Sequence, residues 1–209
     1  MKSSAWSRSS LIACLLLAVS LGGLFTQQAH TQSVFSQAQV QAVLQAEASL
    51  NRISTAAGRF LQISNEGGIA RGDFFLSRPG RFRFDYDAPS PLALIADGRN
   101  IIEIDMDLQS ARRKALNATP LRLFLSSNVD FRNTADIEKV ETISDSLLIT
   151  MRDRGRPNDG TLTLVVDAAN FTLRAWQIVD NKGERTTVRL ENMTYGISIP
   201  PQYFTDPGY

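Results

Sequence analysis

Side chains that commonly carry acid–base or nucleophilic chemistry are scarce in this sequence. Its 209 residues include one cysteine, Cys14, and one histidine, His30. Both lie in the first thirty residues, so a mature protein without this segment has no thiol and at most one histidine at its amino terminus. Cysteine nucleophiles, histidine general bases and the usual zinc or iron sites are thereby excluded. The sequence therefore predicts a protein that is not an enzyme and that has no metal and no cofactor.

Carboxylates are the remaining candidates for catalysis. Glu103, Asp105 and Asp107 occupy alternate positions of a predicted strand, and apolar residues such as Ile102 and Ile104 occupy the positions between them. Paired carboxylates can hydrolyse glycosides, but they must face each other across a pocket, and a raised pKa usually marks the acid. The sequence supplies no second group of acids opposite these three. We interpret them as a solvated face of the strand.

A basic and aromatic stretch, RFRFDYD, begins at Arg81. Strand side chains alternate, so the rings of Phe82, Phe84 and Tyr86 share one face and the charged residues share the other. Binding of nucleic acid would require rings and cations on the same face. Without residues 1–31 the chain has 20 basic and 21 acidic residues, so it lacks the excess of basic residues that is typical of nucleic-acid-binding proteins. We expect no nucleic-acid partner and interpret the rings as an apolar inner wall.

Arg78 differs from the other arginines of this region because it lies in phase with Phe74 and Leu76, on the apolar face of its strand. Two interpretations stay open. A cation at the edge of an apolar surface can extend its head into water. Alternatively, the guanidinium can act as a latch that donates hydrogen bonds across the mouth of a cavity.

The amino terminus has the pattern of a secretory signal peptide. Lys2 and Arg8 precede an unbroken apolar run over residues 11–25, and a polar stretch follows. The run is short for a permanent membrane anchor, which is the alternative. We predict a signal peptide over residues 1–31 and one mature domain over residues 32–209.

The periodicity of the mature part changes once, from helical to alternating. Residues 33–57 carry apolar side chains every three or four positions, which predicts one long amphipathic helix. The residues that follow predict mainly strands. The exception is a short apolar helix over residues 117–128, with Thr119 as its N-cap and Pro120 at the first helical position. The ten predicted strands are 59–64, 68–77, 81–87, 92–96, 100–108, 137–142, 146–152, 161–167, 172–180 and 185–192.

These elements predict a mainly β (α+β) fold built on one large antiparallel sheet. Wide twisted sheets tend to curl, and a sheet of eight or more strands can enclose a helix or a ligand. The apolar face of the sheet must therefore be buried either against a helix or against a bound ligand.

Several segments, in this order and spacing, resemble the family of the outer-membrane lipoprotein carrier protein, LolA. The segments are AAGRFLQ, GDFFLSRPGRFRFDYDAP, IADGRNIIEID, TPLRLFL, LVVDAANFTLRAWQIVDNKGERTTVRLENM and YFTDPG, and they span essentially the whole mature chain. The resemblance implies an incomplete antiparallel barrel, closed by an N-terminal amphipathic helix and a short helical lid, around an apolar cavity that holds the acyl chains of lipoproteins.

The resemblance also implies the partners and the roles of individual residues. Members of the family work in the periplasm, receive lipoproteins from an inner-membrane ABC transporter and pass them to an outer-membrane acceptor; we expect a monomer. Arg78 matches the arginine that latches the lid, and Phe82 matches a cavity phenylalanine, whereas Phe84 and Ile102 stand where the family often has tryptophan. The predicted cavity residues are Phe74, Leu76, Phe82, Phe84, Tyr86, Ile102 and Ile104, and the predicted lid residues are Leu121, Leu123 and Phe124.

Two other functions remain open at this point. The same fold can serve a regulator that senses lipid or lipoprotein, for which a further domain or an interaction tail is expected. It can also carry another amphiphile, such as a glycolipid, because the aromatic residues of the cavity differ from the family pattern. A third possibility, that all these apolar residues fill an ordinary closed core, competes with the cavity at every position.

Overall fold

The computed structural model describes residues 35–206 and Gly208. These residues lie in one compact unit, Val34–Tyr209. The predicted signal peptide over residues 1–31 lies outside the described residues. Among the residues that are described, no helix is long and apolar enough to cross a membrane.

The described part of the chain contains three α-helices, three short 3-10 helices and eleven strands. The α-helices are Gln37–Asn51 (α1), Arg122–Leu125 (α2) and Phe131–Thr134 (α3), and the 3-10 helices are Leu116–Ala118, Pro157–Asp159 and Pro201–Phe204. The strands are Thr55–Ser64 (β1), Ile69–Ser77 (β2), Arg81–Tyr86 (β3), Leu92–Asp97 (β4), Asn100–Asp105 (β5), Ser110–Ala115 (β6), Ala135–Ile143 (β7), Ser146–Asp153 (β8), Thr161–Asp167 (β9), Leu173–Val179 (β10) and Arg185–Tyr195 (β11).

All eleven strands form one antiparallel sheet in the order β6-β5-β4-β3-β2-β1-β11-β10-β9-β8-β7. Within the described residues β6 and β7 are its two ends and are not paired with each other, so the sheet is open. The predicted fold class, a mainly β protein with one large incomplete barrel and a few helices, is confirmed. The prediction missed β6, because its sequence SARRKA is charged and lacks the apolar alternation of an inner strand.

Helix α1 begins where its sequence offers a capping box. The Ser36 side chain accepts a hydrogen bond from the Gln39 backbone, and the Gln39 side chain accepts one from the Ser36 backbone. The predicted helix was too long at its end, because residues 55–57 belong to β1. There the backbone pairs with both β2 and β11, and these two sets of hydrogen bonds outweigh the helical spacing of the side chains.

Residues 116–134, here called the lid segment, connect β6 to β7. The prediction of one helix over residues 117–128 is wrong in detail, because the segment consists of short helical pieces. Thr119 does not cap a helix; its hydroxyl donates a hydrogen bond of 2.9 Å to the Leu116 carbonyl, and Leu121 precedes α2 without a side-chain cap. A hydroxyl that is used by the preceding turn is not available to the next one.

The buried apolar residues form two clusters on opposite faces of the sheet. The larger cluster joins the inner face of the sheet with α1 and the lid segment, and Phe60 at its centre is fully buried. The smaller cluster, on the outer face, consists of Ala93, Ile95, Ile102 and Ile104. The inner face is therefore the main hydrophobic surface of the molecule.

Gly72 allows the ring of Phe60 to lie against the backbone of β2. A β-carbon at this position would lie 2.6 Å from Phe60 Cε1 and 1.9 Å from the carbonyl oxygen of Asp85. We predict that Gly72→Ala lowers the free energy of unfolding by about 1–3 kcal/mol, the usual effect of overpacking, as measured by urea denaturation. Gly68→Ala, in an exposed turn beside the movable Ser64 hydroxyl, is the matched control. Equal stability of the two variants would contradict the prediction.

Candidate functional site

Five of the predicted cavity residues lie side by side on the inner face of β2 and β3. In the register of this pair, Phe74 faces Phe84 and Leu76 faces Phe82. The ring centres of Phe74 and Phe84 are 4.9 Å apart, and those of Phe82 and Phe84 are 5.4 Å apart. We call Phe74, Leu76, Phe82, Phe84 and Tyr86 the inner wall; its residues belong to, or pack against, the large buried cluster.

Ile102 and Ile104 do not belong to the inner wall, and their prediction as cavity residues is wrong. Ile102 pairs with Ile95, and Ile95 pairs with Arg83, so all three point to the outer face. Ile101 takes the place on the inner face. Alternation separates Ile102 and Ile104 from Glu103 and Asp105, but it does not say which set faces inward. The apolar set lies on the outer face, where it is buried with Ala93 and Ile95.

Trp176 lies at the centre of the site, although the sequence pattern did not indicate it. Its ring centre is 5.9 Å from that of Phe74, 6.2 Å from that of Phe84 and 5.3 Å from that of Phe124. The irregularity between Leu173 and Ala175 interrupts the alternation of β10, so that Leu173 and Trp176 are both buried in the inner cluster. Strict alternation would place Trp176 with Arg174 instead.

Tyr86 ends the inner wall with a satisfied hydroxyl. Its oxygen donates a hydrogen bond of 2.8 Å to Gln62 Oε1, and its ring makes an edge contact with Phe60 at 5.1 Å. Burial raises the pKa of Tyr86 to about 12. The phenol therefore stays neutral in the physiological range and remains compatible with an apolar neighbour.

The three predicted lid residues lie over the inner wall. Leu121, Leu123 and Phe124 are buried in the same cluster as the wall, and Phe124 packs against Trp176. In this structure the lid side chains occupy the concave side of the sheet, in contact with its rings. The three side chains therefore pack directly on the inner wall.

Arg78 joins the lid segment to the end of α1. Its Nε and Nη2 donate hydrogen bonds of 3.0 and 2.6 Å to the Ser126 carbonyl, and its Nη1 donates to the carbonyls of Leu50 and Ile53. Burial lowers the pKa of Arg78, and its main partners are neutral carbonyls rather than a carboxylate. Arg78 thus bridges the lid segment and the end of α1 through main-chain carbonyls.

Three further polar contacts hold the lid segment, and sequence reasoning missed all of them. Arg122 of α2 forms an ion pair with Asp153, which is 1 % exposed. The Asn51 side chain accepts from the Val129 backbone N–H at 2.8 Å and donates to the Val129 carbonyl at 2.9 Å. The partners are 31 and 78 residues apart along the chain, so no local sequence pattern could indicate them.

The third contact is a buried carboxylate on α1. Glu47 Oε1 accepts a hydrogen bond of 2.6 Å from the backbone N–H of Phe131, at the start of α3, and Glu47 is 6 % exposed. Burial raises the pKa of Glu47 above its ordinary value of 4.5, although hydrogen bonds from the backbone of Phe131 and Arg132 oppose the shift. A buried carboxylate therefore holds the start of α3, and its burial costs the charged form more than the neutral one.

This shift predicts a pH-dependent stability. A raised pKa in the folded state means that Glu47 favours folding most below pH 4.5, and that this contribution is lost as the pH rises through the folded pKa. Glu47→Gln keeps the acceptor and removes the titration, so its stability relative to the wild type should rise between pH 4 and pH 7, as measured by urea unfolding. Glu66→Gln, in an exposed turn, is the control. A difference that does not change with pH, or that falls, would refute the prediction.

Metal chemistry finds no support in the described part of the chain. No group of three or more His, Cys, Asp or Glu side chains is placed there to hold an ion. The site offers an apolar wall, an apolar lid and polar contacts at the edge of the lid. Such a surface can bind hydrocarbon.

The chain is similar to known carrier proteins over most of its length. Residues 51–206 match the family model of the outer membrane lipoprotein carrier protein LolA. The outer-membrane lipoprotein carrier protein of Methylococcus capsulatus is 26% identical over 178 residues, which cover 81% of this chain and 85% of the relative. That of Chromobacterium violaceum is 25% identical over 189 residues, covering 87% and 90%.

Solved structures share the fold at lower identity. A DUF1329 family protein from Desulfovibrio piger superposes with a TM-score of 0.52 at 12% identity, covering 80% of this chain and 96% of that one. A Vibrio parahaemolyticus domain described as an outer membrane lipoprotein-sorting protein gives a TM-score of 0.52 at 9% identity, covering 79% and 95%. The match over residues 51–206 shows the family: the chain belongs to the outer-membrane lipoprotein carrier proteins of the LolA family.

Proposed function

We propose that this protein is a periplasmic carrier that binds the acyl chains of lipoproteins on its inner wall and moves them from the inner to the outer membrane. The observation that carries the proposal is the lid: Leu121, Leu123 and Phe124 cover a concave aromatic wall, and Arg78 fastens their segment. The relatives named outer-membrane lipoprotein carrier proteins support this assignment.

The energetics of acyl chains require such a cover. Burial of a methylene group is worth about 0.8 kcal/mol, so one chain of roughly sixteen carbons in water costs on the order of 12 kcal/mol. A lipoprotein with several chains cannot cross an aqueous space unaided. A protein that covers the chains removes this barrier.

Release requires that binding is not too tight, and the lid provides for that. When acyl chains lie on the inner wall, they displace the contacts that Phe124 makes with Trp176. The binding free energy is then the difference between two apolar contacts rather than the whole transfer energy. Ligand shifts the equilibrium between a closed and an open lid by its preference for the open state.

The partners follow from this role and form part of the proposal. The predicted signal peptide over residues 1–31 would bring the chain into the periplasm, where it works as a monomer. An inner-membrane ABC transporter would supply acylated lipoproteins, and an outer-membrane acceptor would receive them. Binding and transfer need no bond to be made or broken, which agrees with a carrier rather than an enzyme.

Trp176 supplies a direct test. The chain has two tryptophans, Trp6 and Trp176, so a protein without residues 1–31 reports only from the site. A synthetic triacylated lipopeptide with brominated acyl chains should quench the fluorescence of Trp176. Phe82→Glu should abolish the quenching, because binding would bury an unpaired carboxylate. Phe75→Glu, the same change on the outer face of β2, should retain it.

Two outcomes would contradict the proposal. One is a folded Phe82→Glu variant that still shows full quenching. The other is global unfolding of Phe82→Glu, with Phe75→Glu intact, in circular dichroism, because the inner wall would then be an ordinary closed core.

The proposed role of Arg78 as a latch is tested with a substitution that should open the lid in the absence of cargo. Arg78→Leu removes the hydrogen bonds to Ser126 and to the end of α1. Each charge-assisted bond contributes about 1.5–3 kcal/mol, so we expect the open state to rise at least roughly ten-fold. Acrylamide should then quench Trp176 more strongly, while Arg71→Leu, an exposed residue of β2, should leave quenching unchanged. Equal quenching in all three proteins would rule out the latch.

A further inference from the structure

A cavity lies at the end of the sheet where two turns meet the lid segment. It has a volume of about 750 Å³ and lies between the β2–β3 turn, the β4–β5 turn and the lid segment. Its lining residues are Pro79, Gly80, Arg81, Asp97, Gly98, Arg99, Leu116, Asn117, Arg122, Leu125 and Ser126. We call it the rim cavity; its volume is in the range of small-molecule sites.

The rim cavity has an excess of positive charge. Three arginines, Arg81, Arg99 and Arg122, and one acidic residue, Asp97, line it. The Asp97 carboxylate is engaged within its own turn, where it accepts the backbone N–H groups of Arg99 and Asn100, each at 2.7 Å.

Two of the three arginines have no acidic partner in the described part of the chain. Arg81 donates to the carbonyl and hydroxyl oxygens of Ser77, at 3.4 and 3.0 Å, and lies 5.8 Å from the ring centre of Phe204. Arg99 is exposed and forms no ion pair. Arg122 alone is paired, with Asp153. Two cations at the cavity are therefore not neutralised.

Two leucines of the apolar core also line the rim cavity. Leu116 and Leu125, which line the cavity, also belong to the large buried cluster that contains the inner wall. Gly80 and Gly98 form its floor; a β-carbon on Gly80 would lie 3.0 Å from the α-carbon of Gly98. Basic residues and leucines of the apolar core therefore line the same cavity.

We propose that the rim cavity binds the anionic phosphate group of an amphiphile whose acyl chains lie on the inner wall. Guanidinium groups bind phosphate with two parallel hydrogen bonds, and arginine keeps its charge at any physiological pH. Leu116 and Leu125 mark the path by which the chains pass from the phosphate to the inner wall. The inference rests on the proposed function, because it needs acyl chains on that wall.

The test compares two amphiphiles that differ only in the phosphate. Isothermal titration calorimetry of the full chain measures the affinity for dihexanoyl phosphatidic acid, for dihexanoylglycerol and for inorganic phosphate. We expect phosphatidic acid to bind roughly ten-fold more tightly than dihexanoylglycerol, the effect of one charge-assisted contact. Arg99→Gln and Arg81→Gln should reduce this ratio towards one and leave the affinity for dihexanoylglycerol unchanged.

Arg189→Gln is the matched control, because it removes the same charge from an exposed position on β11 and should keep the ratio. Equal affinity of the wild type for both amphiphiles would overturn the inference, as would a ratio that survives both rim substitutions. A third outcome is binding of inorganic phosphate that depends on Arg99, without any preference for phosphatidic acid. It would show that the cavity binds a free anion and would overturn the inference that its ligand is an amphiphile.

The same titrations separate this inference from the proposed function. If the wild type binds neither amphiphile, the acyl site itself fails. If it binds dihexanoylglycerol and phosphatidic acid equally, the acyl site stands and only the phosphate site fails. Thermal unfolding of each variant is measured alongside, and we expect the melting temperatures of the variants to equal that of the wild type.

Discussion

The concave face of an open sheet must be covered, and this constraint shapes the rest of the molecule. Eleven antiparallel strands leave one curved apolar surface whose ends, β6 and β7, are not joined within the described residues. Aromatic side chains exposed on such a surface would be costly in water. Helix α1 and the lid segment supply the cover. The two parts of the cover differ in build, because α1 is one helix of 15 residues and the lid segment consists of short helical pieces.

The lid is fastened by polar contacts at its edge, while its apolar side chains meet the wall. Arg78, Asn51 and Glu47 hold the backbone of residues 126–131, and Asp153 holds Arg122. Nearly all these contacts join side chains of the scaffold to the main chain of the lid segment. A main-chain partner does not depend on the identity of the lid side chains. The apolar residues of the lid are thus free to be selected for their contact with the wall.

How far the sequence predicts this site depends on whether a feature is local. Alternation within β3 correctly separated Phe82 and Phe84 from the arginines, and the phase of Arg78 with Leu76 correctly placed a cation at the edge of the wall. Alternation failed for Ile102 and Ile104, because it separates them from Glu103 and Asp105 but only the register of β5 with β4 shows which set faces inward. It failed for Trp176 because an irregularity in β10 shifts the pattern. The contacts of Glu47 and Asp153 join distant parts of the chain and leave no local signal.

Strand β3 makes contacts on both faces of the sheet, and its arginines contact the C-terminal segment on the outer face. Phe82 and Phe84 meet the inner cluster, while on the outer face Arg83 donates to the Tyr203 carbonyl and Arg81 lies near the Phe204 ring. The segment around Pro201–Phe204 thus rests on the same strand that carries the inner wall. These outer contacts of β3 do not involve the lid segment, so they do not depend on the packing of its apolar side chains.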